Sequence, residues 1–154
     1  MEVKIVMREA FAVVGLLHSG KNESNEIPQM WEALGPRLSE IPHVAVPDVA
    51  YGVCDNFDDG SGTFDYLAGI EVKRASDLPE GMVSWEVPGA TYAVFTCTLP
   101  TLGELHARIH SAWLPESSYK RAPGPEFELN DKDFDPRDPD SRMDIYIPVQ
   151  PLTE

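Results

Sequence analysis

The sequence predicts an α+β fold made of two fused strand–helix–strand–strand units, pseudo-repeats 1–78 and 79–154 of a single domain. Two observations carry this. Each half of the chain reads strand, helix, strand, strand in hydrophobic pattern, and Phe11-Ala-Val-Val returns as Tyr92-Ala-Val-Phe 81 positions later, close to half of the 154 residues. One helix covers only one face of a small sheet, so two such units are better packed side by side. Their sheets then join into one antiparallel sheet with both helices on one face. The other face is left open, and a ligand cleft is expected there, between the two halves.

The elements follow in order. Val3–Gly20 alternates at first and then runs apolar, which reads as one long strand with a kink at Gly15. Lys21–Glu26 is a polar turn with Ser24 or Asn25 as helix cap. Ile27, Met30, Trp31, Leu34 and Leu38 fall at helical spacing, with a break at Gly35-Pro36 and a stop at Pro42. Val49–Phe57 and Phe64–Val72 form a hairpin through Asp58-Asp59-Gly60-Ser61-Gly62. In the second half Met82–Leu99 is a strand broken at Pro88-Gly89, and Leu102, Leu105, Ile109, Ala112 and Trp113 make a helical stripe. Glu126–Leu129 and Met143–Val149 close the unit, joined by the acidic, proline-interrupted loop Asp131–Ser141.

Composition narrows function. With 42% hydrophobic and 25% charged residues the chain matches a soluble globular protein, and no apolar run approaches the roughly 18 residues of a membrane helix. The opening Met1-Glu2-Val3-Lys4 starts a strand rather than a signal peptide, so a cytoplasmic location is expected. A net charge of −14 would repel nucleic-acid phosphates. Cys54 and Cys97 read as buried free thiols, with an inter-strand disulfide as the alternative.

The stretch Ala112–Leu129 organises the functional reading. It passes from a helix end at Trp113 through a Pro- and Gly-rich crossing into a strand where Glu128 lies between Phe127 and Leu129. If those two face the core, Glu128 faces the other way, toward water or toward a cavity. Ala112-Trp-Leu-Pro-Glu-Ser-Ser-Tyr, Pro125-Glu-Phe-Glu and Met143-Asp-Ile-Tyr-Ile-Pro-Val together resemble the closing signature of GyrI-like domains, the effector-binding domains of AraC-type and multidrug-sensing MerR-type regulators. Ile27-Pro-Gln-Met-Trp and Tyr66-Leu-Ala-Gly-Ile-Glu-Val resemble segments of the same family, so the likeness spans nearly the whole chain. It departs from the commoner motif at Asn130, where tyrosine often stands, and at Asp144, where glutamate is usual.

The resemblance implies a cleft for bulky aromatic or cationic molecules, a buried glutamate that maps onto Glu128, and a last-strand aromatic that maps onto Tyr146. It also implies three possible roles: a stand-alone binder of hydrophobic or cationic compounds, a cofactor-free hydrolase of cyclopropane-containing electrophiles, or a protein-interaction module acting on a gyrase-like partner. A direct DNA-binding role is not expected, because no segment is long enough for a helix-turn-helix domain.

In such a cleft burial would raise the pKa of Glu128 and an arriving cation would lower it. A charge pair at about 4 Å and an effective dielectric of 20 gains roughly 4 kcal/mol before desolvation. Each aromatic face adds about 0.5–2 kcal/mol. Glu128 would set charge preference while Tyr146, Trp113, Tyr66 and Trp31 set shape. As catalysts, Glu128 would accept a proton from water and Tyr146 would donate to the developing oxyanion.

Trp31 and Trp113 sit at helical spacing, which favours the core over a ligand wall for both, and Trp85 suits a rim or an edge-packing role equally. Tyr66 and Glu71 point to opposite faces, and Tyr66 is preferred for the cleft. Tyr51 and Tyr119 stand in reserve. Ser61 lacks a nucleophile elbow. His106 and His110 lack a third metal ligand, and Asp55, Asp59 and Gly60 do not complete a calcium loop, so neither a metal nor a cofactor is expected.

Overall fold

The computed structural model describes residues 2–21, 23–58 and 60–152. Among these residues nine strands form: β1 (Val3–Arg8), β2 (Phe11–Gly20), β3 (Ala50–Asp58), β4 (Thr63–Val72), β5 (Val83–Val87), β6 (Ala90–Thr98), β7 (Tyr119–Arg121), β8 (Glu126–Asn130) and β9 (Arg142–Pro151). Helix α1 (Glu26–Leu34) follows β2 and tightens into a 3-10 turn over Gly35–Glu40. The second helical run comprises α2 (Leu102–Arg108), a π turn over Ile109–Trp113 and a closing turn α3 (Leu114–Glu116). The expected α+β architecture with one antiparallel sheet is what forms.

The sheet order β1-β6-β9-β8-β3-β4-β2-β5 is nearly a palindrome of the two halves, with β3 and β8 paired at the centre and β7 added to β9. Its outermost strands are exchanged: β1 pairs with β6 of the second half, and β5 pairs with β2 of the first. The single long strand expected over Val3–Gly20 is therefore two strands serving opposite ends of the sheet. The corner lies between Arg8 and Phe11, not at Gly15. Gly15 stands in mid-strand opposite Gly69, where a Cβ would come within 1.8 Å of the Ala68 carbonyl oxygen, so it serves close strand approach. Pro88-Gly89 makes the matching corner, and the two corners touch: a Cβ on Gly89 would be 3.3 Å from the Ala10 nitrogen.

Strand alternation sorts the core into faces. Under α1 lie Val14, Tyr66, Ala68, Ile70 and Val72, packed with Leu34 and Ile41. Under the second helical run lie Ala93, Phe95, Met143, Ile145 and Ile147, packed with Leu105 and Ile109. The pairing register puts both sets on the same face, as expected.

The opposite face is closed at its centre. Phe11, Val13, Tyr51, Val53, Leu67, Val87, Tyr92, Val94 and Phe127 bury one another there. Phe127 sits at their centre, with ring centroids 5.3 Å from Phe11, 5.2 Å from Tyr92 and 5.8 Å from Tyr51. Arg8 caps this stack, its guanidinium 3.9 Å above the Phe11 ring. The centre of the face expected to hold a ligand is thus filled by the protein's own rings and its own cation, and what stays open on it is a groove beside Trp85.

Asn25 precedes α1 in the left-handed conformation without a side-chain cap bond. The hairpin between β3 and β4 closes through a Gly62 N–H donating to the Asp58 carbonyl at 2.7 Å, whereas Asp59 lies outside the described residues. Among the described residues no helix is long and apolar enough to cross a membrane.

Candidate functional site

On β8 the alternation holds: Phe127 enters the ring cluster, while Glu126 and Glu128 project from the other face, the one that bears the helices. There Glu128 stands opposite Gly52 of β3, and Gly52 in turn stands opposite Ala68 of β4. Two strand spacings, about 9–10 Å, separate β8 from β4, a gap that only a long side chain crosses. Tyr66 crosses it. Its hydroxyl donates to Glu128 Oε1 at 2.9 Å and accepts from Trp31 Nε1–H of α1 at 3.1 Å. Gly52 makes this possible, since a Cβ there would lie 2.1 Å from the Tyr66 hydroxyl oxygen and 2.7 Å from Glu128 Oε1.

The environment holds the acid near its neutral form. Burial pushes the Glu128 carboxyl up to about 7, and the charge of Glu126 adds to the rise while the Tyr66 hydrogen bond opposes it. Burial, and then the charge of Glu128, pushes the Tyr66 phenol well above its ordinary value. Cys54, opposite Tyr66 and Glu126 on the same face, has its thiol raised by burial and by the carboxylates around it. It is a free thiol and a poor nucleophile in that state, and Cys97 is free as well.

Two other shielded acids have arginine partners. Glu71 accepts from Arg8 Nη2 at 2.7 Å and from the Tyr51 hydroxyl at 2.8 Å. Glu126, 6% exposed, accepts from Arg121 Nη2 at 3.2 Å and has His106 Nδ1 at 3.6 Å. Among the described residues no arginine, lysine or histidine pairs with Glu128.

Of the residues singled out from sequence, Glu128, Tyr66 and Trp31 come together. Tyr146 does not join them. It is the register partner of Phe127 and stacks on that ring at 4.4 Å, on the opposite face of the sheet from Glu128. The alternation that sets Tyr146 against Ile145 and Ile147 holds, but the face it selects is the filled one. Trp113 packs edge-on against Phe95 at 5.2 Å and stacks with Tyr119, within the core of the second half. Trp85 also packs against the ring cluster, beside a groove of about 510 Å³ shared with Leu17, Asp55 and Asp65. Tyr51 belongs to the Arg8–Glu71 network.

Sequence reasoning passed over Gly52, Glu126 and Arg121, and read Cys54 as a thiol without placing it beside Glu126 and Tyr66. Glu126 was within reach of the alternation rule, two residues before Glu128. The role of Gly52 depends on which strands become neighbours, and no local pattern reports that. His106 and His110 stack at 6.5 Å, and among the described residues no three His, Cys, Asp or Glu side chains are grouped to hold a metal.

Comparisons with known proteins agree with this fold. Residues 4–149 match the family described as Cass2, integron-associated effector binding protein. The transcriptional regulator BrlR of Pseudomonas aeruginosa is 41% identical over 152 residues, covering 97% of this chain and 56% of its own length. The chain thus spans a little over half of that relative. Among solved structures, an integron cassette protein from the mobile metagenome of Vibrio cholerae superimposes with a TM-score of 0.67 at 20% identity, over 96% of this chain and 95% of the other. SAV2435, solved bound to tetraphenylphosphonium, superimposes with a TM-score of 0.73 at 18% identity, over 97% and 94%.

Proposed function

The chain belongs to the Cass2 family of integron-associated effector binding proteins, a group of GyrI-like effector-binding domains, and from that premise we propose that it binds lipophilic, cationic aromatic molecules over Glu128. Both halves form one binding unit, and the cleft runs along the helix-bearing face between α1 and α2. Trp31 walls it on one side and His106 on the other, with Gly52, Tyr66 and Glu128 as its floor.

One observation carries this reading: Glu71 and Glu126 each hold an arginine, whereas Glu128, whose carboxyl is pushed up to about 7 by burial, has no cation among the described residues. A carboxylate in that position is costly to ionise, and an incoming cation relieves the cost. Trp31 and Tyr66 supply ring surface beside it. Tetraphenylphosphonium, the ligand of the structural neighbour SAV2435, has this chemistry: one delocalised positive charge, four rings and no hydrogen-bond donor.

Hydrolysis is less well supported. It needs a second hydroxyl aimed at the developing oxyanion, and Tyr146 stands on the far face while Tyr66 already donates to Glu128. No observation favours the gyrase-type interaction over plain solubility for the acidic surface.

Titration with tetraphenylphosphonium, followed by tryptophan fluorescence and calorimetry at pH 8, tests the proposal. Saturable binding by the native chain, weakened at least tenfold in Glu128→Gln, is expected, since even a fraction of the roughly 4 kcal/mol of a close charge pair exceeds the 1.4 kcal/mol of a tenfold change. Binding indifferent to that substitution would overturn it.

A further inference from the structure

Glu126 and Glu128 lie on one face of β8 with a single residue between them, about 6–7 Å apart along the strand. They are treated differently. Glu126 carries Arg121 at 3.2 Å with His106 beside it, while Glu128 meets the Tyr66 hydroxyl. Arg121 is held for this task. Its Nη1 donates to the Ala122 carbonyl and its Nη2 to the Gly124 carbonyl at 3.2 Å, so the Ala122-Pro-Gly-Pro crossing fixes the guanidinium against Glu126.

Resting on the cation-binding reading above, we propose that Arg121 is a specificity residue that sets the number of charges the cleft accepts: by occupying Glu126 it leaves one acid free and makes the site select monocations over dications. The floor is built for two positive charges, and the protein supplies one of them. A ligand bearing a second cationic centre meets Arg121 where it would need Glu126. Without Arg121, Glu126 is a shielded acid lacking its arginine, and the second centre of a dication becomes its best partner.

A matched pair of probes separates the effect. Ethidium and propidium share the phenanthridinium ring, and propidium adds one quaternary ammonium on a short arm. Dissociation constants for both are measured by fluorescence at pH 8. The native chain is expected to bind ethidium at least as tightly as propidium. Arg121→Gln should shift the ratio of the two constants at least tenfold toward propidium. Arg121→Lys keeps the charge and should keep the native ratio, and the double variant Arg121→Gln/Glu126→Gln should return to it.

An unchanged ratio in Arg121→Gln, with ethidium still bound, would overturn the inference alone. A shift shared by Arg121→Lys would assign the effect to the loop contacts instead, and would overturn it too. Failure of the native chain to bind either probe or tetraphenylphosphonium would bring down the cation-binding reading and this inference together. If Arg121→Gln does not fold, Glu126→Gln serves instead: the freed Arg121 should weaken propidium at least threefold more than ethidium, and equal weakening would be contrary.

Discussion

Tyr66 and Glu128 belong to strands two places apart in the sheet, yet their side-chain oxygens are 2.9 Å from each other. The hydrogen bond favours the ionised carboxylate, against burial and the nearby Glu126 charge, which favour the neutral one. Tyr66→Phe should therefore push the Glu128 carboxyl higher still. Cation affinity is expected to fall several-fold at pH 7 and to recover toward the native value by pH 9, where the acid ionises without help. Calorimetric titrations across that range test this, and a loss that persists at pH 9 would mean that Tyr66 acts through shape.

The stability of the free protein should carry the opposite pH dependence. Glu128 titrates near 7 in the folded chain and near 4.5 when unfolded, so between those values the folded state holds more protons. The contribution of this group is then fully present below about 4.5 and is lost as pH rises through about 7. Glu128→Gln removes the loss. Relative to the native chain, it should gain roughly 2–3 kcal/mol in urea unfolding at pH 8 and little at pH 4.5, since one pKa unit is worth about 1.4 kcal/mol. A difference that does not grow between those pH values would refute the burial of this acid.

The element types were legible because they depend on local pattern. Helical spacing at Ile27–Leu38 ends where Gly35-Pro36 interrupts it, and α1 gives way to a 3-10 turn at that point. The corner between Arg8 and Phe11 was not legible, because Glu9-Ala10 has no proline or glycine to mark it as Pro88-Gly89 does. The face that carries Glu128 was missed for a different reason. Alternation states that Glu128 and Phe127 oppose each other, but which face the helices cover depends on the packing of residues far apart in sequence. Trp31, Tyr66 and Glu128 were named from sequence, and the glycine that lets them meet was not.

That glycine yields a third prediction. In Gly52→Ala the new methyl would stand 2.1 Å from the Tyr66 hydroxyl oxygen and 2.7 Å from Glu128 Oε1, so one or both must move. Overpacking of this kind costs about 1–3 kcal/mol. Tyr66→Phe deletes the closest of three clashing atoms and leaves the ring carbon Cζ and Glu128 Oε1 at 2.7 Å, so the double variant should be more stable than the sum of the single effects predicts. Thermal unfolding of the four proteins measures the coupling. Strict additivity would show that Tyr66 does not lie over Gly52.

The network on the far face gives the last prediction. Arg8 of β1 is bound to Glu71 of β4 at 2.7 Å and to the Tyr51 hydroxyl at 3.1 Å, and it lies over the Phe11 ring. Because β1 pairs with the second half of the chain and β4 belongs to the first, this one guanidinium ties the exchanged strand to the opposite half. Arg8→Met leaves the Glu71 carboxylate with only the Tyr51 hydroxyl among these partners. Breaking a fully buried pair costs about 3–5 kcal/mol, and partial exposure here reduces the expected loss to about 1–3 kcal/mol. Arg8→Met/Glu71→Gln should recover part of it by removing the stranded charge. Tetraphenylphosphonium affinity should be unchanged in either variant, because the network and Glu128 are on opposite faces of the sheet. A change in affinity as large as that caused by Glu128→Gln would place the ligand on the ring-filled face and relocate the site.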